Sequence, residues 1–408
     1  MSFAGIGVIL GAGVYALIGP AAAEAGSALW LSFVVAGVAA GLTAYAYARL
    51  GSLRPKASPE FQYTTLGFGP RVGFVAGWLM LFADIAAAAS VALGFGGYLR
   101  HLLGVPLVAG ALSLVVLAAL AVATGAGTSV RLAIVLTAVE AAGLLFVIGV
   151  GLPAWPRADF MQMPAGFAGV GGAAALIFFA YLGFDELGNF AEEMHAPARD
   201  LPRALLIALV ATTLIYVAVA LSATALVPFD ALGRSPAPLA LVARRVLGPA
   251  ADGTLSVVAL AATANTVLLL LFAASRSVYG MANEGVLPRG LARVSRSASP
   301  FRALAVVSAV AGGLILIGEL SSVARLTDAA ILISFIFVNA SLVRLATAGR
   351  SRATGARRAL DVVIPTLGAL LCAALLGYSG WFWIGMAVAV GVAGALLNPA
   401  TRAPVAGR

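Results

Sequence analysis

The chain has 408 residues, 62% hydrophobic and only 10% charged, with a formal net charge of +9. So few polar groups cannot cover a water-facing globule of this length, which excludes a soluble multidomain protein and points to an all-α integral membrane protein. A single cysteine, Cys372, excludes an internal disulfide framework, no Cys/His cluster offers a metal site, and arginines confined to short loops between apolar runs read as membrane topology rather than a nucleic-acid footprint.

A helix crossing the hydrocarbon core needs about 20 mostly apolar residues. Cutting the chain at charges, prolines and turn residues leaves about twelve such segments: 1–25, 29–48, 73–99, 106–124, 129–152, 167–191, 201–227, 254–278, 303–318, 323–345, 361–377 and 381–397. Six of the 25 basic residues, Arg100, Arg157, Arg234, Arg244, Arg245 and Arg325, fall on one set of alternate loops and all the rest on the other. The arginine-rich side is cytoplasmic, so both termini are expected there and the number of spans is even. No Lys or Arg precedes Arg49, so the first segment reads as a span and not as a cleaved secretory signal. The longer connections, 51–72, 191–203 and 276–302 inside and 227–253 outside, have room for surface helices but not for a soluble domain, so 1–408 is one membrane domain.

The first segment carries Gly5, Gly7, Gly11, Gly13 and Gly19, with the run Leu10 to Gly13 near mid-membrane. Each interior glycine costs a helix roughly 0.5–1 kcal/mol against alanine, which favours local unwinding there; tight packing through small residues is the plainer reading. The sixth segment shifts the balance toward unwinding, because Phe178 to Phe184 is followed by two adjacent carboxylates, Asp185 and Glu186, for which a continuous lipid-facing helix has no use. Matching interruptions in two five-helix halves are the mark of an inverted-repeat transporter with its substrate between half-helices. Unwound amides at the start of a half-helix present free N–H groups and a positive dipole end, while unwound carbonyls present acceptors. A small zwitterion can therefore be held almost entirely by main chain.

Four stretches carry a resemblance to a known family: GVILGAGVYALIGPAAAEAG from Gly7, SPEFQYTTLGFGP from Ser58, FFAYLGFDELGNFAEEMHAPARDLPRAL from Phe178 and ASRSVYGMANEGVLPRGLARV from Ala274. The chain resembles the amino acid permeases of the amino acid, polyamine and organocation (APC) transporter superfamily over nearly its whole length. The resemblance implies a LeuT-type fold with broken helices 1 and 6, its first inverted repeat in 1–152, its second in 167–345 and two peripheral helices in 361–397. Carried over by position, Gly11, Ala12 and Gly13 offer N–H groups to the substrate carboxylate, and carbonyls near Ile9, Phe179, Ala180 and Leu182 take its amine, with Gly183 in the same interruption. Phe179 lies against the substrate as part of the occluding lid, and Asp185 stands at an acidic gating position. Small residues at the site suggest an apolar, modest-sized amino acid. Two departures stand out. Only Met1 to Ala4 precede Gly5, where relatives usually carry a cytoplasmic tail with an inner latch. Glu140 stands where some relatives have a lysine that occupies the sodium position of sodium-coupled members.

Asp84, Glu140 and Asp185 fall near mid-depth, with Glu186 beside the last; a charged Asp at a helix centre costs about 2.5–3.5 kcal/mol, so such residues are rare and usually functional. Each can take up and release a proton, the bland alternative being a protonated carboxyl bonded to neighbouring helices. Proton binding at Glu140 is expected to bias the inward and outward states and so couple proton flow to uptake. Sodium is a second reading, since Thr263, Asn265, Thr266 and Ser275 offer oxygen ligands. The cluster Glu192, Glu193, Arg199, Asp200 and Arg203 reads as a cytoplasmic salt-bridge network, Trp381 and Trp383 as interface anchors, Phe33, Tyr45, Phe335 and Phe337 as lipid-facing or packing residues, and Cys372 as apolar filler. The expected function is proton-coupled symport of a small zwitterionic amino acid across the plasma membrane, by a monomer or homodimer without cofactor, metal or nucleic acid. Exchange and polyamine or organic-cation transport are alternatives, and a solute sensor is the non-transport one. An enzyme is not expected, since His101 and His195 lie in loops on opposite sides and cannot form one site.

Overall fold

A computed structural model describes residues 9–56, 58–124, 126–189, 194, 196–283, 285, 287–294, 300–351 and 353–397. Met1 to Val8 of the first segment, Glu192, Glu193 and His195 lie outside the described residues, and with them part of the expected network after the sixth segment. The described chain is helical from end to end. In order come α1 (Gly13–Ala25), α2 (Leu29–Leu53), α3 (Pro59–Phe68), α4 (Pro70–Leu103), α5 (Leu107–Ala123), α6 (Ala126–Gly151), α7 (Gly166–Ile177), α8 (Glu186–Asn189), α9 (Pro197–Leu226), α10 (Phe229–Arg234), α11 (Pro238–Leu247), α12 (Pro249–Asn283), α13 (Phe301–Ile315), α14 (Leu320–Thr347), α15 (Gly355–Tyr378) and α16 (Trp381–Leu397).

Among the described residues, eight helical stretches are long and apolar enough to cross a membrane; α5, α13 and α16 are apolar but shorter. One of the eight, Gly13–Leu53, holds two of the expected segments, because a three-residue 3-10 turn at Gly26–Ala28 joins α1 to α2. All twelve segments therefore have a helical counterpart. Their ends differ by a few residues, since α4, α12 and α14 run past their apolar stretches until a proline or glycine stops them: Pro70 and Gly104 bound α4, and Pro249 opens α12. The connections 51–72 and 227–253 do hold helices, α3 in the first and α10 and α11 in the second.

Burial orders the bundle. The stretch Gly166–Gly188, which contains α7, is 78% buried over its most apolar window, against 28% for the windows in Val135–Arg157 and Gly355–Tyr378. The sixth segment is thus the central one, with α1, α2 and α14 around it, while α6 and α15 face outward. Phe33 and Phe335 are fully buried packing residues, and Trp381 is exposed at the start of α16. Cys372 is buried on α15 with its sulfur 3.6 Å from the Thr43 hydroxyl.

Polar ties fasten both ends. At one, Arg49 forks onto Asp361 with N–O distances of 2.7 and 2.9 Å while the Tyr45 hydroxyl donates to the same carboxylate at 2.8 Å, fixing α2 to α15. At the other, Arg325 on α14 donates to Glu24 on α1 and to the Tyr378 carbonyl. His101 belongs to the last turn of α4 and not to a loop, and it pairs with Asp252 at 2.9 Å.

Candidate substrate site at the two helix breaks

The first break covers Leu10 to Ala12. Ile9 is still helical, the Gly11 N–H turns back onto the Ile9 carbonyl at 2.6 Å, and regular helix resumes at Gly13. Ala12 caps α1 without a side chain to do so, and its own N–H donates to Thr266 Oγ1 on α12 at 3.1 Å. The N–H groups of the first turn of α1 consequently have no intrahelical acceptor and carry the positive end of the helix dipole.

The second break begins where α7 tightens into a 3-10 turn at Phe178–Tyr181 and continues to Asp185, after which α8 starts. Gly183 has φ 113°, a conformation that side-chain-bearing residues rarely adopt, and its N–H donates to Asp185 Oδ1 at 2.9 Å. Asp185 therefore holds the shape of the break whatever else it does.

The two breaks touch. A Cβ on Gly13 would lie 2.8 Å from Ala180 Cα and 3.2 Å from the Phe179 ring, so only glycine allows this approach. The Tyr216 hydroxyl, on α9, reaches the Ile9 carbonyl at 2.8 Å and the Ala180 carbonyl at 3.0 Å, and shares its proton between the two broken segments. Ile9, Gly11, Ala12 and Gly13 thus meet Phe179 and Ala180, with Leu182 and Gly183 continuing the same irregular stretch. Gly11, Leu182 and Thr266 keep partial exposure although their neighbours are buried. Main-chain N–H and carbonyl groups of both broken segments thus lie side by side where the breaks meet.

Apart from the ion-paired Asp361, the interior acids form one group of four and two that stand apart. Asp84, Asp185 and Glu186 act on one another electrostatically, and Glu60 joins them. Glu60 sits in the first turn of α3, buried, with the Tyr47 hydroxyl donating to its Oε1 at 2.5 Å. Burial, reinforced by the charge of Asp185, pushes its carboxyl up to about 8, against a lowering by the Tyr47 hydrogen bond. Burial likewise raises the Tyr63 phenol. Tyr47 also stacks edge-on against Tyr63, Phe184 and Phe335, so the acidic group is roofed by aromatic rings beneath the second break. Glu140 stands elsewhere, on α6. It is fully buried, neither carboxylate oxygen has a hydrogen-bond partner among the described residues, and its backbone carbonyl accepts from Tyr15 at 2.7 Å. The second is Asp328 on α14, fully buried and likewise without a hydrogen-bond partner for either oxygen among the described residues.

Glu60, Asp328 and Tyr216 were not among the residues expected at the site. Glu60 lies in a polar connection that reads as surface. Asp328 falls only five residues past the expected start of its segment at Val323, close to Arg325, and so reads as an end residue. The signal available for it was a lone acid inside an otherwise apolar run. Tyr216 carries no sequence signal beyond being a tyrosine within a span. The four oxygens considered for sodium do not converge: Thr263 and Ser275 are twelve residues apart on α12, roughly 18 Å at 1.5 Å per residue, and each donates to carbonyls of its own helix.

Comparison with known proteins agrees with this architecture. The chain matches the amino acid permease family over residues 1–398. It is 29% identical to the branched-chain amino acid permease BcaP of Bacillus subtilis, over 94% of this chain and 88% of that protein. It is 30% identical to a methylthioribose transporter of the same organism, over 91% and 85%. Identity is also 30% to the vacuolar cationic amino acid transporter 2 of Arabidopsis thaliana, over 84% of this chain and 58% of the relative. With two interior helices interrupted and the match running almost end to end, the chain belongs to the amino acid permease family of the APC superfamily.

Proposed function

We propose that the protein is a secondary transporter that carries an amino acid across the plasma membrane by alternating access, in symport with protons. The observation that supports this most is the contact of two broken helices in the bundle interior. On this reading the N–H groups of Gly11, Ala12 and Gly13 receive the substrate carboxylate, which displaces the Ile9 carbonyl from Gly11 and Thr266 Oγ1 from Ala12. The carbonyls of Ile9, Phe179, Ala180 and Leu182 take the ammonium, and Gly183 supplies the turn that exposes them. The ammonium competes with the Tyr216 hydroxyl for the Ile9 and Ala180 carbonyls, which ties substrate arrival to the packing of α9. Phe179 closes over the substrate, and Asp84, Asp185 and Glu186 serve the gate below it. The halves 1–152 and 167–345 are the two repeats of a LeuT-type fold with 361–397 peripheral, and both termini are cytoplasmic.

Coupling falls to Glu140. An ionised carboxylate without a partner is costly in such surroundings, so proton uptake or release there shifts the balance of any two states that bury it differently. The test is uptake of radiolabelled leucine and lysine by the purified protein in liposomes with and without an acid-outside pH gradient. Accumulation is expected to follow the gradient in the wild type and to lose that dependence in Glu140→Gln. A mutant that retains full gradient-driven accumulation reduces Glu140 to a structural residue. Wild-type uptake that ignores the gradient and requires internal amino acid replaces symport by exchange. A second reading, transport of an amine or other organic cation, is favoured by the grouping of Glu60 with Asp84, Asp185 and Glu186.

A further inference from the structure

Asp328 is a fully buried acid that neither the gate nor the coupling reading uses and that, unlike Asp361, no arginine forks onto among the described residues. It is the ninth residue of α14, three residues beyond Arg325 and on the same face, yet Arg325 is already engaged by Glu24 and by the Tyr378 carbonyl. The amide of Phe179 approaches the Asp328 carboxyl from the second break, but neither oxygen completes a hydrogen bond. The same Phe179 places its ring against the Gly13 end of α1. One residue therefore separates the main-chain grip on a substrate backbone from a fully buried carboxylate with unused acceptor capacity.

A buried acid in this position requires an explanation, because an unpaired charge in a membrane protein's interior costs several kcal/mol and is retained where something pairs with it. The main-chain site is matched to a zwitterion of zero net charge. A substrate with a second cation adds one positive charge, and Asp328 supplies one negative charge on the far side of Phe179. We propose that Asp328 is the acidic end of the substrate pocket and selects amino acids whose side chain ends in an ammonium or guanidinium group. This rests on the transport reading above. It replaces the apolar side chain that the small residues at the breaks suggest, because on this reading those residues meet the substrate backbone, while Asp328 lies on α14 beside the amide of Phe179. The ring of Phe179 and its 3-10 turn yield when the side chain enters, so the carboxylate pairs only once the substrate is in place.

Lysine and norleucine differ at the chain end by an ammonium in place of a hydrogen, which makes them the discriminating probes. In liposomes holding the full-length protein, lysine is expected to compete for radiolabelled lysine uptake at least about tenfold better than norleucine, since a site built to pair a polar group rejects the analogue lacking it. Asp328→Asn is expected to lower lysine uptake by at least about tenfold while leucine uptake is kept or raised. Asp328→Glu retains the charge and is expected to keep the lysine preference, which covers the case in which the asparagine variant fails to fold. The inference is overturned if norleucine competes as well as lysine in the wild type, or if Asp328→Asn lowers lysine and leucine uptake equally. Loss of pH-gradient dependence in Asp328→Asn with unchanged selectivity makes the residue a proton site and overturns it too. Absence of uptake for every amino acid in the wild type refutes the transport reading itself, and is distinguished by that from the outcomes above.

Discussion

Substituting Gly13 by alanine tests whether the two breaks meet. The added Cβ would sit 2.8 Å from Ala180 Cα, whereas ordinary contact begins at 3.4 Å, so the broken segments must part by roughly 0.6 Å, the difference of the two. The obstructing atom is backbone and has no rotamer to move to. Overpacking costs about 1–3 kcal/mol, a clash with backbone that cannot move aside takes the upper part of that range, about 2–3 kcal/mol, and alanine's better helix propensity returns about 1 kcal/mol, leaving a net loss of about 1–2 kcal/mol. If that loss falls on the conformation that grips substrate, the half-saturating concentration rises roughly 5- to 30-fold. Gly11→Ala is the control, because its Cβ would meet Thr266 Oγ1 at 3.6 Å and the Ile9 carbonyl at 3.7 Å, both ordinary contacts. Thermal unfolding without substrate and concentration-dependent uptake in liposomes should be measured for both variants. Gly13→Ala is expected to melt earlier and saturate later than Gly11→Ala. Wild-type melting and saturation in Gly13→Ala would refute the contact, and with it the shared binding spot.

The ties around the site give two further expectations. Glu60 has an ordinary value of 4.5 and is raised to about 8 in the fold, so the native state holds a proton there that the unfolded chain releases. Its contribution to stability is complete below about 4.5 and is lost as pH rises through about 8. The melting temperature should therefore fall across that window in the wild type and fall less steeply in Glu60→Gln; equal slopes would show that Glu60 does not titrate there. Arg49→Met leaves the buried Asp361 carboxylate with Tyr45 and without its guanidinium. A loss of about 3 kcal/mol, the low end for orphaning a buried ion because Arg49 keeps some exposure, is expected in denaturant unfolding. Arg49→Met with Asp361→Leu should recover most of it, and a double variant no better than the single one would argue against the pair.

What the sequence determined by itself was everything that depends on local apolar length and local backbone cost. Twelve apolar runs became helices because a run of that length has no other way to satisfy its peptide groups in lipid. The interruptions at Leu10 to Ala12 and at Phe178 to Asp185 were legible for a similar reason: glycine pairs and adjacent carboxylates are expensive in a continuous span, and that cost is a property of neighbouring residues. Long-range placement was a different matter. That Gly13 packs on Ala180, that Tyr216 bridges Ile9 and Ala180, and that Glu60 leaves a polar connection to join Asp84, Asp185 and Glu186 are contacts between residues distant in sequence. No periodicity records them. Asp328 shows the limit most plainly: five residues from the expected start of its segment and three from Arg325, its position gives no sign of burial, yet it is fully buried in the fold. Only the tertiary packing decides whether a carboxylate faces water, a partner or an empty place for a cation, because that depends on what the other helices bring to it.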